Sequence, residues 1–124
     1  MKCSIKNSNM KKENIIRERS FDFAVQIVGL YQQLVANKEY VLSKQSLRSG
    51  TSIGANVEEA TAAISKKDFI AKMSIASKEA RETRYWLLLL QRGEIVKLDY
   101  SAYLNEINQI INILTAIVKT SQTS

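Results

Sequence analysis

The stretch that decides the fold is "FIAKMSIASKEARETRYWLLLL", from Phe69 to Leu90. Its apolar and small positions recur at alternating intervals of four and three residues, the period of a helix that buries one face in a bundle. These positions are Phe69, Met73, Ala76, Ala80, Thr83, Leu87 and Leu90. The preceding "SKKD", Ser65 to Asp68, predicts a capping box, and Arg92 followed by Gly93 predicts the end of the helix.

A first amphipathic segment runs from Ile15 to about Ala36, and Asn37 is predicted to cap its end. Its apolar face follows the i, i+3, i+4, i+7 rule of a helix. This face comprises Phe21, Ala24, Val25, Val28, Tyr31 and Val35. A second stripe widens the face beyond the seam of two helices. The second stripe comprises Phe23, Ile27, Leu30 and Leu34.

Two further segments complete the set of helices. One begins at Ser43, the predicted N-cap, and runs to about Ile64. Its predicted inward residues are Leu47, Ile53, Val57, Ala60 and Ile64. Asp99 is predicted to cap the last helix. The seam of that helix comprises Tyr100, Leu104, Ile107, Ile111, Leu114 and Val118, with a parallel row of Tyr103, Ile110 and Ile117.

The connections between these four helices are short, which makes neighbouring helices antiparallel. The sequence therefore predicts an all-α, antiparallel up-down-up-down four-helix bundle. A chain of 124 residues without proline is one domain's worth of helix-forming material. The predicted organisation is a flexible basic N-terminal tail at 1–14, the bundle at 15–120 and a C-terminal tail at 121–124.

Two of the four glycines, Gly50 and Gly54, lie one helical turn apart within "RSGTSIGANVEEA", Arg48 to Ala60. A glycine inside a helix costs about 1 kcal/mol relative to alanine, so two on one face favour close approach by a neighbouring helix. A phosphate-cradling loop is the disfavoured alternative, because nothing upstream reads as the strand that usually precedes one. The spacing leaves open whether the close neighbour belongs to this chain or to another subunit.

Polar residues line the predicted hairpin of the second and third helices. Because the hairpin turns near Ser65, Arg48 is expected near Glu82, Ser52 near Glu79, and Glu59 near Lys72. The polar set comprises Arg48, Ser49, Ser52, Asn56, Glu59, Asp68, Glu79 and Glu82. These groups either fix the register of the two helices, which is the favoured interpretation, or line a polar pocket.

Several function classes are disfavoured by composition. The chain has no histidine, the usual general base near neutral pH and the commonest metal ligand, and its single Cys3 cannot make a zinc site. Catalysis by Glu79 and Glu82 is the least favoured hypothesis, because acidic pairs at this spacing are common on helices. The sequence predicts a non-enzyme without metal or cofactor. The longest apolar run, Tyr85 to Leu90, is too short to span a membrane, and no signal peptide is evident, so a cytoplasmic location is expected.

The formal net charge of +6 is concentrated at the N-terminus, where residues 1–19 carry +4. The third helix is also rich in cations. The predicted nucleic-acid-binding residues are Lys66, Lys67, Lys72, Lys78, Arg81 and Arg84. The alternative is an ordinary solvated helix face. Tyr85, Trp86 and Tyr103 are predicted interface anchors, with a place in the core as the equal alternative.

The motifs above resemble those of the 23S rRNA intervening-sequence proteins, and the accessory variability determinant of diversity-generating retroelements is similar. The resemblance rests on Arg-Ser-x-x-Ser-Ile-x-x-Asn at Arg48 to Asn56, on Asp68-Phe69 and on "KEARETRYW" at Lys78 to Trp86. It implies a homo-oligomeric bundle, commonly a pentamer with a central channel. It also implies association with structured RNA, or with a protein such as a reverse transcriptase. The basic residues extend the expected partners to DNA, and no membrane partner is expected.

Overall fold

The computed structural model describes the backbone of residues 4–123 and the side chains of residues 11–123. Within this range the chain forms four helices: α1 (Ser4–Ala36), α2 (Leu42–Thr61), α3 (Lys66–Arg92) and α4 (Ser101–Thr123). Each helix packs against the next along the chain, and α4 returns to pack against α1. The predicted antiparallel four-helix bundle is confirmed. None of the described helices has both the length and the apolar character needed to cross a bilayer.

Helix α1 begins at Ser4, well before the predicted start at residue 15, because residues 4–14 contain neither glycine nor proline to interrupt it. Helix α4 likewise extends past residue 120 to Thr123. The predicted tails at 1–14 and 121–124 are therefore helical wherever they are described. Residues 1–3 and 124 lie outside the described part of the chain.

The core side of α1 is its second apolar stripe, since Phe23, Ile27, Leu30 and Leu34 are fully buried. The first stripe is only partly exposed: Phe21 is 68 % exposed and Val25 is 57 % exposed. Its other members Ala24, Tyr31 and Val35 are half-buried. Both rows of α4, by contrast, are used inside the bundle. Ile110 and Ile117 are buried beside the seam residues, and Tyr103 packs on the core while partly exposed. The extra apolar row is thus partly exposed on α1 but absorbed by the core on α4.

The connection between α1 and α2 corrects one predicted cap. Asn37 ends α1 as expected, and its side-chain amide donates to the carbonyl of Gln33 at 2.8 Å. Ser43 is not the N-cap of α2 but a buried residue inside it. The N-cap residue is Val41, whose side chain makes no capping bond. The Glu39 carboxylate instead accepts the backbone N–H groups of Leu42 at 3.0 Å and of Ser43 at 2.6 Å. Glutamate reaches these donors because it precedes α2 by three residues.

The two glycines of α2 face α1 of the same chain, which answers the question left open by their spacing. A Cβ atom on Gly50 would lie 2.9 Å from Cγ2 of the buried Ile27. A Cβ atom on Gly54 would lie 3.3 Å from the backbone carbonyl oxygen of Ser20. The prediction that Ile64 faces inward is wrong. Helix α2 ends at Thr61, and Ile64 is 95 % exposed in the connection to α3.

The remaining helix boundaries agree with the sequence. The Ser65 hydroxyl accepts the backbone N–H of Asp68 at 3.0 Å, so the predicted capping box starts α3. All the predicted seam residues of α3 are buried except Phe69, which is half-buried against the core. Asp99 accepts the backbone N–H of Ser101 at 3.0 Å and caps α4. Hydrogen bonds from Ser101 hold the pKa of the Asp99 carboxyl below its ordinary value.

Candidate functional site

A cluster centred on Arg48 joins α2 to α3. The guanidinium of Arg48 binds the Glu82 carboxylate and lies 3.4 Å from a carboxylate oxygen of Glu79. Glu82 also accepts the indole N–H of Trp86 at 3.0 Å. The predicted pairing of Arg48 with Glu82 is confirmed, and two of the three carboxylates of α3, those of Glu79 and Glu82, are turned toward α2.

Of the other polar residues of the hairpin, some form bonds between α2 and α3, and others form bonds within α2 alone. Lys72 binds Glu59 at 2.8 Å, as predicted, and this bond raises the pKa of the lysine ammonium. Ser49 is buried and accepts the Thr83 hydroxyl at 2.8 Å. Ser52 and Asn56 instead form hydrogen bonds within α2. The Ser52 hydroxyl donates to the Ser49 carbonyl at 3.0 Å, and the Asn56 amide donates to the Ser52 carbonyl at 2.9 Å.

The charged side chains in the middle of α3 make contacts with two different helices. Glu79 and Glu82 are bound to α2, whereas Arg81 reaches the other way and donates to the Thr115 hydroxyl of α4 at 3.1 Å. Four exposed cations lie on the outer and α4-facing sides of α3, and we call them the cationic face. The cationic face comprises Lys67, Lys78, Arg81 and Arg84. None of the ion pairs found among the described side chains involves these four residues.

The other two predicted cations of α3 are placed differently. Lys72 belongs to the α2-facing side, where Glu59 balances its charge. Lys66 is exposed at the first residue of α3. Two arginines counted with the N-terminal charge also have acidic partners. Arg17 binds Glu58 of α2 at 3.1 Å, and Arg19 binds Glu106 of α4 at 2.9 Å, which raises the pKa of the Arg19 guanidinium.

A groove between α3 and α4 adjoins the cationic face. It encloses a volume of about 250 Å³ and is lined by Ser74, Ser77, Arg81, Thr115, Val118, Lys119 and Gln122. Its walls carry two cations, three hydroxyls and an amide, and no carboxylate. Sequence analysis missed all of these residues except Arg81. Their signal was the spacing of Ser74, Ser77 and Arg81 on one side of α3, which becomes informative only once α4 is placed beside it.

The predicted interface aromatics have different environments. Tyr85 is 58 % exposed and meets the Trp86 ring edge-on, with ring centroids 5.1 Å apart. Trp86 is half-buried, and its indole N–H donates to Glu82. Tyr103 packs on the core. A small cleft of about 200 Å³ beside Tyr85 is lined by that ring, Leu88, Leu89 and Arg92. The structure therefore leaves Tyr85 as the accessible member of the three.

The exposed stripe of α1 is a second surface of note. Phe21, Val25 and Val28 follow one another at helical spacing on the outside of the bundle. No group of His, Cys, Asp and Glu in the described chain is arranged to hold a metal ion.

Comparisons with known proteins complete the description. A comparison with curated proteins found no match. The structure resembles the 1.70 Å crystal structure of a protein of unknown function from the S23 ribosomal protein family of Bacteroides thetaiotaomicron VPI-5482. The two are 51 % identical with a TM-score of 0.83, over 87 % of this chain and 98 % of that one. The family model described as 23S rRNA-intervening sequence protein matches residues 12–116. The chain therefore belongs to the 23S rRNA-intervening sequence protein family.

Proposed function

We propose that the protein is a non-catalytic homo-oligomer that binds structured RNA or DNA through the cationic face of α3. The observation that carries this proposal is the set of four exposed cations on α3 that take part in none of the ion pairs found among the described side chains. Glu79 and Glu82 are bound to Arg48 of α2, so an arginine outside the cationic face already neutralises part of their charge.

The dimensions of the cationic face suit a polyanion. Lys67 and Arg84 are 17 residues apart, which corresponds to about 25 Å along a helix that rises about 1.5 Å per residue. A surface of this length can follow a nucleic-acid backbone across several phosphates, and each neutralised phosphate releases counterions. Oligomerisation would repeat the face and multiply the contacts.

The test is the salt dependence of binding to a fluorescein-labelled RNA hairpin, followed by fluorescence anisotropy. The double variant Lys78→Gln/Arg84→Gln removes two cations of the face. Each lost phosphate contact lowers the log–log salt slope by about 0.9 on a duplex, so we expect the slope to fall by about 2. The matched control is Lys44→Gln/Lys97→Gln, which removes two exposed lysines from other parts of the bundle.

The control variant should bind with the slope of the wild-type protein. If the wild-type protein does not bind the hairpin or a DNA duplex at about 50 mM salt, the nucleic-acid proposal is wrong. Equal losses in the two double variants would also contradict it, because binding would then depend on net charge and not on this face.

The outward stripe of α1 supports the oligomeric part of the proposal. An exposed run of Phe21, Val25 and Val28 is costly on an isolated monomer, and such patches commonly mark subunit contacts. We propose that copies of the chain meet through this stripe in a pentameric ring. Light scattering on the wild-type protein should then give about five times the chain mass of 14.0 kDa.

The variant Phe21→Ser/Val25→Ser should shift the mass toward the monomer with little change in helix content. Ile64→Ser is the control, because Ile64 is an exposed apolar residue outside the stripe. A wild-type protein that stays monomeric at high concentration would contradict the oligomer, and a mass unchanged in the double variant would contradict this interface.

A protein-interaction scaffold is the second candidate, favoured by the apolar cleft of Tyr85, Leu88 and Leu89 on α3. In this alternative the cleft receives an apolar side chain of a partner protein such as a reverse transcriptase, without direct nucleic-acid contact. A pull-down of the reverse transcriptase that survives nuclease treatment and is lost in Tyr85→Ala would favour this function. Loss of the partner on nuclease treatment would favour the first.

A further inference from the structure

The groove between α3 and α4 has the chemistry of a site for a single phosphate group. We infer that it binds a phosphate of the nucleic-acid backbone, an inference that rests on the proposed function for the source of that phosphate. The groove is formed by two helices of one chain, so every copy of the protein contains a complete site.

The lining residues are complementary to a tetrahedral oxyanion. Arg81 and Lys119 supply positive charge from opposite walls, and charge-assisted hydrogen bonds to phosphate are stronger than neutral ones. The hydroxyls of Ser74 and Ser77 are half-buried in the α3 wall and can donate to further oxygens. Gln122 adds an amide donor at one end of the groove.

Arg81 is held across the groove before any ligand arrives. Its guanidinium donates to the Thr115 hydroxyl at 3.1 Å, and Thr115 donates in turn to the Ile111 carbonyl at 2.7 Å. The single bond to a neutral hydroxyl leaves the other donors of the guanidinium directed at solvent or groove. This restraint lowers the entropy lost when Arg81 binds an anion.

The electrostatic surroundings favour an anion. Glu79 and Glu82 of α3 are engaged with Arg48 on the α2 side, and Asp68, the third acid of α3, precedes Ser74 by six residues, about 9 Å along the helix axis. Glu106, the only acidic residue of α4, binds Arg19 of α1. Glu106 also lies nine residues from Thr115, about 13 Å along the helix axis. The groove therefore carries two positive charges with no carboxylate in its lining, and it continues the cationic face toward α4.

Two variants separate the shape of the groove from its charge. Ser77→Leu fills the groove without changing the net charge, and Lys119→Gln removes one cation at nearly constant size. We expect Ser77→Leu to weaken binding of the labelled RNA hairpin about tenfold, and Lys119→Gln to lower the salt slope by about 1. The control Lys44→Gln should leave the affinity and the slope unchanged. Circular dichroism should show wild-type helix content in every variant, and Lys119→Gln carries the test if Ser77→Leu does not fold.

A second arm uses inorganic phosphate as the probe, with the rise in Tm read against chloride at equal ionic strength. A Tm rise that is lost in Ser77→Leu while RNA affinity is unchanged would assign the groove to free phosphate and overturn the nucleic-acid source. RNA affinity that falls in Ser77→Leu without any effect of inorganic phosphate on Tm would support a site for a phosphodiester chain. If both readouts are unaffected by both variants, the groove is not a phosphate site.

The two proposals fail in distinguishable ways. Loss of RNA binding in Lys78→Gln/Arg84→Gln but not in the groove variants keeps the cationic face and overturns the groove. If the wild-type protein does not bind RNA or DNA at all, the proposed function is wrong. A phosphate of the nucleic-acid backbone is then also excluded as the ligand of the groove. The inorganic-phosphate arm then decides by itself whether the groove is an anion site.

Discussion

The seam between α1 and α2 and the seam between α3 and α4 both contain small residues, but the first seam is tightly packed and the second is open. Gly50 and Gly54 bring α2 against Ile27 and the Ser20 backbone, so the first seam is closed. On the other side of the bundle, Ser74 and Ser77 face Thr115 and Lys119 across an open groove of about 250 Å³.

The difference depends on what the opposite helix supplies. A branched apolar side chain such as Ile27 fills the space over a glycine and excludes water, which stabilises the bundle by burial. Arg81 and Lys119 cannot be buried in the same way, because desolvating an unpaired charge is expensive. Small residues therefore create a tight contact in one seam and a polar recess in the other.

The largest expected effect comes from overfilling the closed seam. Gly50→Leu places a side chain where even a Cβ atom would lie 2.9 Å from Cγ2 of the fully buried Ile27. We expect the free energy of unfolding to fall by about 3 kcal/mol, at the upper end of overpacking costs, when measured by urea denaturation at fixed protein concentration.

Gly29→Leu on α1 is the matched control, because a Cβ atom at Gly29 would meet nothing within 4 Å. That variant should be neutral or more stable by up to about 1 kcal/mol, since leucine favours the helix over glycine. Equal losses at Gly50 and Gly29 would show that the close approach of α1 and α2 is not what glycine provides.

A smaller loss of stability is expected at the polar contact between α2 and α3. This contact joins α2, which is part of the closed seam, to the helix that carries the cationic face. Glu82→Ala removes the acceptor of both Arg48 and Trp86. Charge-assisted hydrogen bonds are worth about 1.5–3 kcal/mol, and partial exposure of this pair reduces the expected loss to about 1–2 kcal/mol.

The comparison variant is Glu58→Ala, which removes the more exposed ion pair with Arg17. Surface pairs contribute about 0–1 kcal/mol, so its urea midpoint should move less. A melting temperature that is unchanged in Glu82→Ala would remove the pairing of Arg48 and Glu82 as a feature that fixes helix register.

The smallest effect concerns pH and Tyr100, the buried residue just before α4. Tyr100 is buried and donates its hydroxyl hydrogen to the Val96 carbonyl at 2.8 Å, and burial raises its pKa above the ordinary value of 10.0. The unfolded chain loses this proton near pH 10.0 while the folded chain keeps it, so stability falls as the pH rises past that value.

The contribution of Tyr100 to this loss is at most about 1.4 kcal/mol per pH unit. Urea denaturation of Tyr100→Phe should therefore show a shallower loss of stability above pH 10.0 than the wild-type protein. Parallel alkaline profiles of the two proteins would mean that the folded state ionises Tyr100 as readily as the unfolded state does.

The fold followed from periodicity because a bundle helix repeats its buried positions along a single seam. The seam of α3, its capping box and the pairing of Arg48 with Glu82 were all predicted correctly, since each depends on local spacing or on hairpin geometry. The sequence could not show which of the two apolar stripes of α1 faces the core. Both are apolar at helical spacing, and only the placement of α2 and α4 selects Phe23 and Ile27 for the core.

The candidate site was less accessible to sequence reasoning. The excess of cations on α3 was visible, but its separation from Glu79 and Glu82 depends on the direction in which each side chain meets a neighbouring helix. The groove was missed because its walls come from positions more than 30 residues apart, as in the bond from Arg81 to Thr115. The cap at Glu39 was missed because glutamate is not among the usual N-cap residues.

The most direct test of the central claim is zero-length crosslinking of the wild-type protein to a hairpin that contains 4-thiouridine, with the attached peptides identified by mass spectrometry. If the cationic face and the groove between α3 and α4 bind nucleic acid, the crosslinked peptides should come from residues 67–85 of α3 and 115–122 of α4. Crosslinks confined to α2, residues 42–61, would contradict the account.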